Sequence, residues 1–219
     1  MSRSDHPASW KERKRVMAYL ENELDLIVEV YENAGTVRTG KGKFTTVNEL
    51  TDQVPAVRAT VLTAAARVLT MLWPIDESIT KVLSEEDKGA ILAGLVSVQL
   101  DLPLAMARHN VTYEVPGSLI VPLSMEYMDG QLTVNGLVEG DRLLLIDDTL
   151  ASGGTMVALI EAARGAGCSV DDVRVVVEKL GYGGRDRLAE IGVKVRAGIG
   201  IAIDDKGEIS VEERLEWIR

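Results

Sequence analysis

Two adjacent carboxylates and a turn of small residues follow one apolar segment of the sequence. Leu143 to Ile146 are apolar and predict a buried strand, which Asp147 and Asp148 follow directly. The turn consists of Ala151, Ser152, Gly153, Gly154 and Thr155. Its glycines can direct backbone N–H groups into one concavity, and a following helix N-terminus and two hydroxyls add further donors. The pattern predicts a phosphate site without a lysine, beside carboxylates that accept hydrogen bonds from hydroxyls.

A strand, turn and helix whose aspartates only cap the helix is the structural alternative. The carboxylate pair, the Ser-Gly-Gly-Thr turn and the preceding strand occur together, and this combination favours a ligand site. In open α/β sheets, ligands bind at the carboxyl ends of the strands. The segment is neither a P-loop, since Gly-Lys-Ser/Thr is absent, nor a dinucleotide fingerprint, since the glycine spacing differs.

This segment resembles the signature of the type I phosphoribosyltransferases. The resemblance implies that Asp147 and Asp148 contact the ribose 2- and 3-hydroxyls of phosphoribosyl pyrophosphate, and that residues 151–155 hold its 5-phosphate. Carboxylates there would also stabilise positive charge that develops on the ribose as pyrophosphate leaves. By the same resemblance, Mg²⁺ is bound through phosphoribosyl pyrophosphate and no metal is bound directly by the protein.

Two further segments are similar to the family's pyrophosphate-binding elements. Glu86, Asp87, Lys88 and Gly89 lie between a predicted strand and a predicted helix, where a helix cap is the structural alternative. Arg108 and His109 end the next predicted strand, and a guanidinium suits pyrophosphate. His109 stands where the family usually has lysine, so the charge of this clamp depends on histidine protonation.

The catalytic lid and the base site are less clearly marked. Residues 110–135 resemble the mobile loop that closes over the active site, and Glu126 with Tyr127 resembles a pair linked to catalysis in adenine-type enzymes. Glu126 is therefore expected to interact with the base as its protonation changes, although a solvated glutamate is the alternative. Phe44 could stack on a purine, or be an ordinary core aromatic.

The order of elements predicts the fold that must position these residues. Helical spacing predicts helices over 9–33 and 56–72, and after Pro74 apolar strands alternate with helices. We expect an α/β fold, with a mostly parallel sheet flanked by helices, an N-terminal helical and hood portion, and a C-terminal hairpin. Residues 1–74 are expected to form the helices and base-binding hood, and residues 75–219 the phosphoribosyltransferase core, within one globular unit.

The composition of the chain excludes some classes of binding partner. With 24 Lys+Arg against 34 Asp+Glu, the net charge of −10 argues against nucleic-acid or membrane binding, which requires a basic surface. The single cysteine suits a reducing cytoplasm, where we expect the protein because an apolar signal segment is also missing. The resemblance further implies a homodimer.

The function expected from these residues is purine phosphoribosyl transfer. The base is adenine or hypoxanthine/guanine, because the sequence resembles both the adenine-type enzymes and the archaeal hypoxanthine/guanine branch. Alternatives are a regulatory protein of the same fold that senses phosphoribosyl pyrophosphate or a purine, and orotate phosphoribosyltransferase. An Asp-Asp hydrolase is disfavoured, because the sequence shows no further metal carboxylates at strand ends.

Overall fold

A computed structural model of the chain describes residues 10–40, 42–109, 111, 113, 115–124 and 129–213. The helices are α1 (Trp10–Glu32), α2 (Ala59–Met71), α3 (Ala90–Leu100), α4 (Gly154–Gly165) and α5 (Gly184–Glu190). The strands are β1 (Gly35–Arg38), β2 (Phe44–Val47), β3 (Lys81–Glu85), β4 (Leu104–His109), β5 (Leu119–Ser124), β6 (Asp129–Val134), β7 (Arg142–Leu150), β8 (Ser169–Lys179), β9 (Lys194–Ile203) and β10 (Ile209–Glu213). In these ranges no helix has the length and apolarity needed to cross a bilayer.

The main sheet has the strand order β10-β9-β8-β7-β3-β4-β6-β5. Strands β9, β8, β7, β3 and β4 are parallel, β10 and β6 run antiparallel to them, and the edge strand β5 pairs antiparallel with β6. This arrangement confirms the predicted mostly parallel α/β sheet and its C-terminal hairpin. Strands β1 and β2 form a separate antiparallel hairpin.

The strand order reverses beside β3, the first parallel strand in the chain. The chain moves from β3 to β4 on one side, and later returns to place β7 on the other side. Such a reversal leaves a crevice at the carboxyl ends of the two neighbouring strands, because the connections leave in opposite directions. The carboxyl ends of β3 and β7 therefore define the place where a ligand site is expected.

Helices cover both faces of the sheet and bury two apolar clusters. One cluster joins α1, α2 and α3 to one face, and the other joins α4 and α5 to the opposite face. The two N-terminal helices thus pack directly on the sheet that carries the segment from Leu143 to Thr155. In β7, Leu144 and Ile146 belong to the first cluster and Leu143 and Leu145 to the second, as the two-residue period of a β-strand requires.

A fully buried arginine attaches α2 to the sheet. Arg174 on β8 donates hydrogen bonds to the carbonyl oxygens of Leu69, Trp73 and Pro74 at 2.7–3.1 Å. Its charge is balanced by Asp172, whose Oδ2 lies 2.7 Å from Nη2. A cation is favourable at a helix C-terminus, where carbonyl groups lack intrahelical partners, so this arginine both caps α2 and holds it to the core.

Two elements extend further than the sequence indicated. The apolar stretch Leu143 to Ile146 is the middle of β7, which continues through Asp147 and Asp148 to Leu150. Polar residues stay within the strand because β8 pairs with it as far as Leu150. Residues 110–135, which resemble a mobile loop with strand character near Thr133, contain β5 and β6, and these strands pair with each other and extend the sheet beyond β4.

Candidate active site

The crevice between β3 and β7 brings the acidic pair against the segment that follows β3. A Cβ atom placed on Gly89 would lie 2.5 Å from Oδ1 of Asp147 and 3.1 Å from its Cα. No side chain fits in that space, so glycine allows the segment at residues 86–89 to contact the acidic pair. Two segments identified separately in the sequence are therefore neighbours at the switch point of the sheet.

Asp147 and Asp148 lie at successive positions of β7, and their carboxyl groups are close enough to interact with each other. The backbone N–H of Asp148 donates to Oδ1 of Asp147 at 2.8 Å, and the Thr149 hydroxyl donates to Oδ2 of Asp148 at 2.9 Å. Burial raises the pKa of Asp147 well above its usual range, and the nearby charges of Asp148 and Glu85 raise it further. This concentration of negative charge suits hydroxyl donors or a cation.

The small-residue turn has the geometry of an anion site. Gly153 is the N-cap of α4, with φ of 70°, and no side chain caps this helix N-terminus. The first N–H groups of α4 consequently have no intrahelical partner and carry the positive end of the helix dipole. Ser152 is exposed, and Gly153, Gly154 and Thr155 are partly exposed, so a phosphate can reach the turn.

The residues expected at pyrophosphate fall into two groups. The backbone N–H of His109 donates to Oε1 of Glu86 at 2.7 Å, and the His109 imidazole Nε2 contacts Glu85. His109 is therefore joined to the segment at residues 86–89. Arg108 precedes it in the same strand and points to the opposite face, where its side chain is exposed. Asp87 follows Glu86 in the same segment and is exposed.

Lys88 connects the same segment to the loop at residues 48–53. Its ammonium lies 2.7 Å from Oδ1 of Asp52, and this ion pair together with the Thr51 hydroxyl lowers the pKa of Asp52 against the effect of burial. This loop is ordered by Asn48, whose Oδ1 accepts hydrogen bonds from the N–H groups of Leu50 and Thr51. The sequence assigned Lys88 to pyrophosphate; in the structure a carboxylate already contacts it.

A buried lysine lies at the end of the strand next to the acidic pair. Lys179 ends β8, is 6% exposed, and places Nζ 3.4 Å from the Thr45 hydroxyl. Burial and the charge of Lys88 lower its pKa to about 8, although Asp148 and Asp52 act in the opposite direction. A lysine amine within the electrostatic reach of both carboxylates is a donor inside the candidate site.

The aromatic ring beside this amine belongs to Tyr182 and not to Phe44. Lys179 Nζ lies 5.9 Å from the centre of the Tyr182 ring, and the Tyr182 hydroxyl donates to the Phe44 carbonyl oxygen at 3.1 Å. The Phe44 ring lies under the Arg38 guanidinium, 4.9 Å away, and against Gly207 of the C-terminal hairpin. The Phe44 ring is thus occupied by contacts with β1 and with that hairpin.

Two buried polar groups of the N-terminal region are neighbours, and one of them, Tyr31, lies near Asp148. Tyr31 on α1 is fully buried, and its hydroxyl lies near Thr149 and Asn48 without meeting hydrogen-bond geometry with either. The Asn48 amide nitrogen is likewise buried without a partner in the described part of the molecule. Burial raises the pKa of Tyr31, and the charge of Asp148 adds to this effect, so the phenol stays protonated.

Some predicted features lie outside the described residues, and others were missed. Glu126 and Tyr127 are not among the described residues. In the described ranges no three His, Cys, Asp or Glu side chains are grouped closely enough to hold a metal ion. Lys179 was missed, although it follows the buried strand Val173 to Val177, and a polar residue directly after a buried parallel strand was the signal that identified Asp147.

The fold is an α/β sheet flanked by helices, and its candidate ligand site lies at the switch point of the sheet. The sequence model of the phosphoribosyl transferase domain family matches residues 47–198. The chain therefore belongs to the phosphoribosyltransferase family, which confirms the resemblance seen in the sequence.

Relatives and solved structures agree with this assignment. The chain is 32% identical to the hypoxanthine/guanine phosphoribosyltransferase of Methanocella paludicola, over 82% of this chain and 91% of that protein. It is 33% identical to the protein of the same name from Methanohalobium evestigatum, over 76% and 85% of the two chains. The crystal structure of adenine phosphoribosyltransferase from Rhodothermus marinus superposes with a TM-score of 0.66 and 26% identity, covering 81% of this chain and 97% of that one.

Proposed function

We propose that the protein is a purine phosphoribosyltransferase of purine salvage that acts on a 6-oxopurine, hypoxanthine or guanine. A base nitrogen would form a bond to ribose C1 of phosphoribosyl pyrophosphate as the bond from C1 to the pyrophosphate oxygen breaks. The products are a nucleoside monophosphate and pyrophosphate. The choice of base depends on one observation, the buried Lys179 amine within reach of Asp148.

The chemistry of Lys179 supports an oxo group on the base. An ammonium has only hydrogen-bond donors, so it pairs with the 6-oxo oxygen of hypoxanthine or guanine and opposes the 6-amino group of adenine. A buried donor left unpaired costs binding energy, which makes such a site selective. Tyr182 offers the ring that could pack on the base, and the names of the similar archaeal proteins support the same choice.

The acidic pair and the turn would position the ribosyl group. Asp147 and Asp148 accept hydrogen bonds from the two ribose hydroxyls and stabilise the positive charge that develops at C1. Residues 151–155 fix the 5-phosphate. The pyrophosphate leaves on the side of residues 86–89 and His109. Glu126 accepts the proton that the base nitrogen loses as it bonds to C1. Catalysis would consist mainly of positioning and electrostatics.

Magnesium fits the negative charge of this site. The carboxylates of Glu85, Asp147 and Asp148 repel one another, as the raised pKa of Asp147 indicates, and a hard cation bound to the substrate would relieve that repulsion. Mg²⁺ bound through phosphoribosyl pyrophosphate would neutralise part of the negative charge of the leaving pyrophosphate. We also propose a homodimer in the cytoplasm, in keeping with the family and with the buried, unpaired thiol of Cys168.

Adenine is the second candidate, because adenine phosphoribosyltransferases share this fold with a TM-score of 0.66. The test is a screen for pyrophosphate release with phosphoribosyl pyrophosphate, Mg²⁺ and one base at a time: hypoxanthine, guanine, adenine, xanthine or orotate. Asp148→Asn is the control that shows whether the released pyrophosphate comes from this site, and its turnover should be lower by at least about tenfold. Preference for hypoxanthine or guanine supports the proposal, and preference for adenine or orotate refutes it. Binding of phosphoribosyl pyrophosphate without turnover of any base would identify a sensor.

A further inference from the structure

Helix α5 is pressed against the small-residue turn. A Cβ atom on Gly184, the first residue of α5, would lie 2.2 Å from the carbonyl oxygen of Ala151. A Cβ atom on Gly153 would lie 3.3 Å from the Gly184 Cα. The contact is thus between backbones, and it fixes the distance from α5 to the turn more tightly than side-chain packing could.

Arg187 is the side chain that α5 extends to the turn. Its Nη1 lies 3.2 Å from the position that a Cβ atom would occupy on Gly154, and the Ser152 hydroxyl lies 3.9 Å from the same point. The Arg187 side chain is exposed and forms no ion pair with any described residue. Arg185, two residues earlier, differs in this respect, because its guanidinium bonds the carboxylate of Glu178.

The residues of the turn carry no full positive charge of their own. A helix N-terminus offers about half an elementary charge. The phosphate is a dianion, and the chain carries a net charge of −10, with Asp147 and Asp148 on the strand directly before the turn. A planar guanidinium can donate two parallel hydrogen bonds to a phosphate, so it is suited to hold one at this place.

We propose that Arg187 is a substrate-binding residue that donates hydrogen bonds to the 5-phosphate of phosphoribosyl pyrophosphate and of the nucleotide product. It acts together with the backbone N–H groups of residues 151–155 and is not part of that motif. This assignment rests on the proposed function, because it takes the turn as the 5-phosphate site. It predicts that Arg187 affects each ligand with a 5-phosphate and does not affect pyrophosphate.

The reaction run in both directions tests this selectivity. Arg187→Gln should raise the KM of phosphoribosyl pyrophosphate in the forward direction and the KM of the nucleoside monophosphate in reverse, each by about tenfold or more. The KM of pyrophosphate in reverse should stay within about twofold of wild type, with kcat little changed, as expected when uniform binding is lost. Arg187→Lys should retain part of the affinity. Lys194→Gln is the control for loss of a surface cation, because Lys194 begins β9 and so lies at the amino-terminal ends of the parallel strands, away from the site.

Calorimetric titration with ribose 5-phosphate separates this proposal from the proposed function, since it requires no turnover. Binding by the wild type that is weakened about tenfold in Arg187→Gln supports the role of Arg187, even if no base is turned over. Unchanged affinity for ribose 5-phosphate in the variant overturns it. A uniform rise in all three KM values, including that of pyrophosphate, also overturns it, because that result indicates a general structural change.

Discussion

Replacing Lys179 by methionine tests how the base is chosen. The side chain is 6% exposed, and methionine keeps an unbranched apolar chain of similar length while removing the ammonium. If the ammonium donates to the 6-oxo oxygen, its loss removes a hydrogen bond of about 1.5–3 kcal/mol, or about ten- to 150-fold in kcat/KM for hypoxanthine and guanine. Adenine should lose nothing, because the ammonium opposes its amino group.

The pH dependence gives a second and independent measure. With a pKa of about 8, the Lys179 ammonium is lost as the pH rises through that value. The ratio of wild-type to Lys179→Met activity with hypoxanthine should therefore be largest below about pH 7 and fall by about tenfold towards pH 9. The ratio is used because the titration of the base and of the groups that both proteins share affects the two activities equally and cancels.

The free energy of unfolding of the wild type should rise with pH over the range in which the activity ratio falls. The pKa of Lys179 is lower in the folded protein than its ordinary value of 10.5, so the unfolded chain binds more protons between about pH 8 and 10.5. The wild type should become more stable as the pH rises through that window. The lowered pKa corresponds to about 3 kcal/mol of cost to the fold at neutral pH, so Lys179→Met should be the more stable protein at pH 7.

The assays are initial rates of pyrophosphate release with each base from about pH 6 to pH 9.5, and urea unfolding of both proteins. Lys43→Met is the matched control, since the Lys43 ammonium also lies over the Tyr182 ring, at 5.0 Å, but its side chain is exposed. If Lys179→Met keeps hypoxanthine and guanine activity within about twofold, or lowers adenine activity equally, the reasoning about base selection is wrong.

Three other predictions follow from the site and the core. Asp147→Asn should raise the thermal midpoint near pH 7 but not near pH 4, because a carboxyl group whose pKa is raised by folding destabilises the folded protein as the pH rises. Turnover of this variant should fall by at least about tenfold. An unchanged midpoint near pH 7 would contradict this reasoning. The turnover of Gly89→Ala should fall by about tenfold or more, because the new Cβ would displace the Asp147 carboxylate. The control is Gly94→Ala in α3, where the Cβ has open space; it should keep its activity and gain up to about 1 kcal/mol in free energy of unfolding. Equal activities of the two variants would refute the clash at Gly89. Arg174→Leu should lower the free energy of unfolding by about 3–5 kcal/mol, because three buried carbonyl groups lose their donor and Asp172 loses the buried one of the two arginines that contact it. The half-exposed Arg142→Leu should cost less than about 1 kcal/mol. Equal losses in urea denaturation would show that the buried arginine does not hold α2.

The sequence predicted the fold and one segment of the site because both depend on local patterns. The alternation of apolar strands and helices after Pro74 indicates a parallel sheet, and the structure has the predicted elements in the predicted order. The signature from Leu143 to Thr155 is contiguous, so strand, acidic pair, turn and helix could be identified without knowing what packs beside them. Boundaries were less certain, since polar residues such as Asp147 remain in a strand when a neighbouring strand pairs with them.

Only the tertiary structure decided which distant residues meet that segment. The contact between Gly89 and Asp147 depends on the sheet order that makes β3 and β7 neighbours, and the arrival of Arg187 at the turn depends on the backbone contact of α5. Lys179, Tyr31 and the Phe44 ring are likewise located by the packing of separate elements. Composition and spacing specify which chemical groups a chain carries, whereas the distances between groups far apart in sequence arise only when the helices and strands bury their apolar faces together.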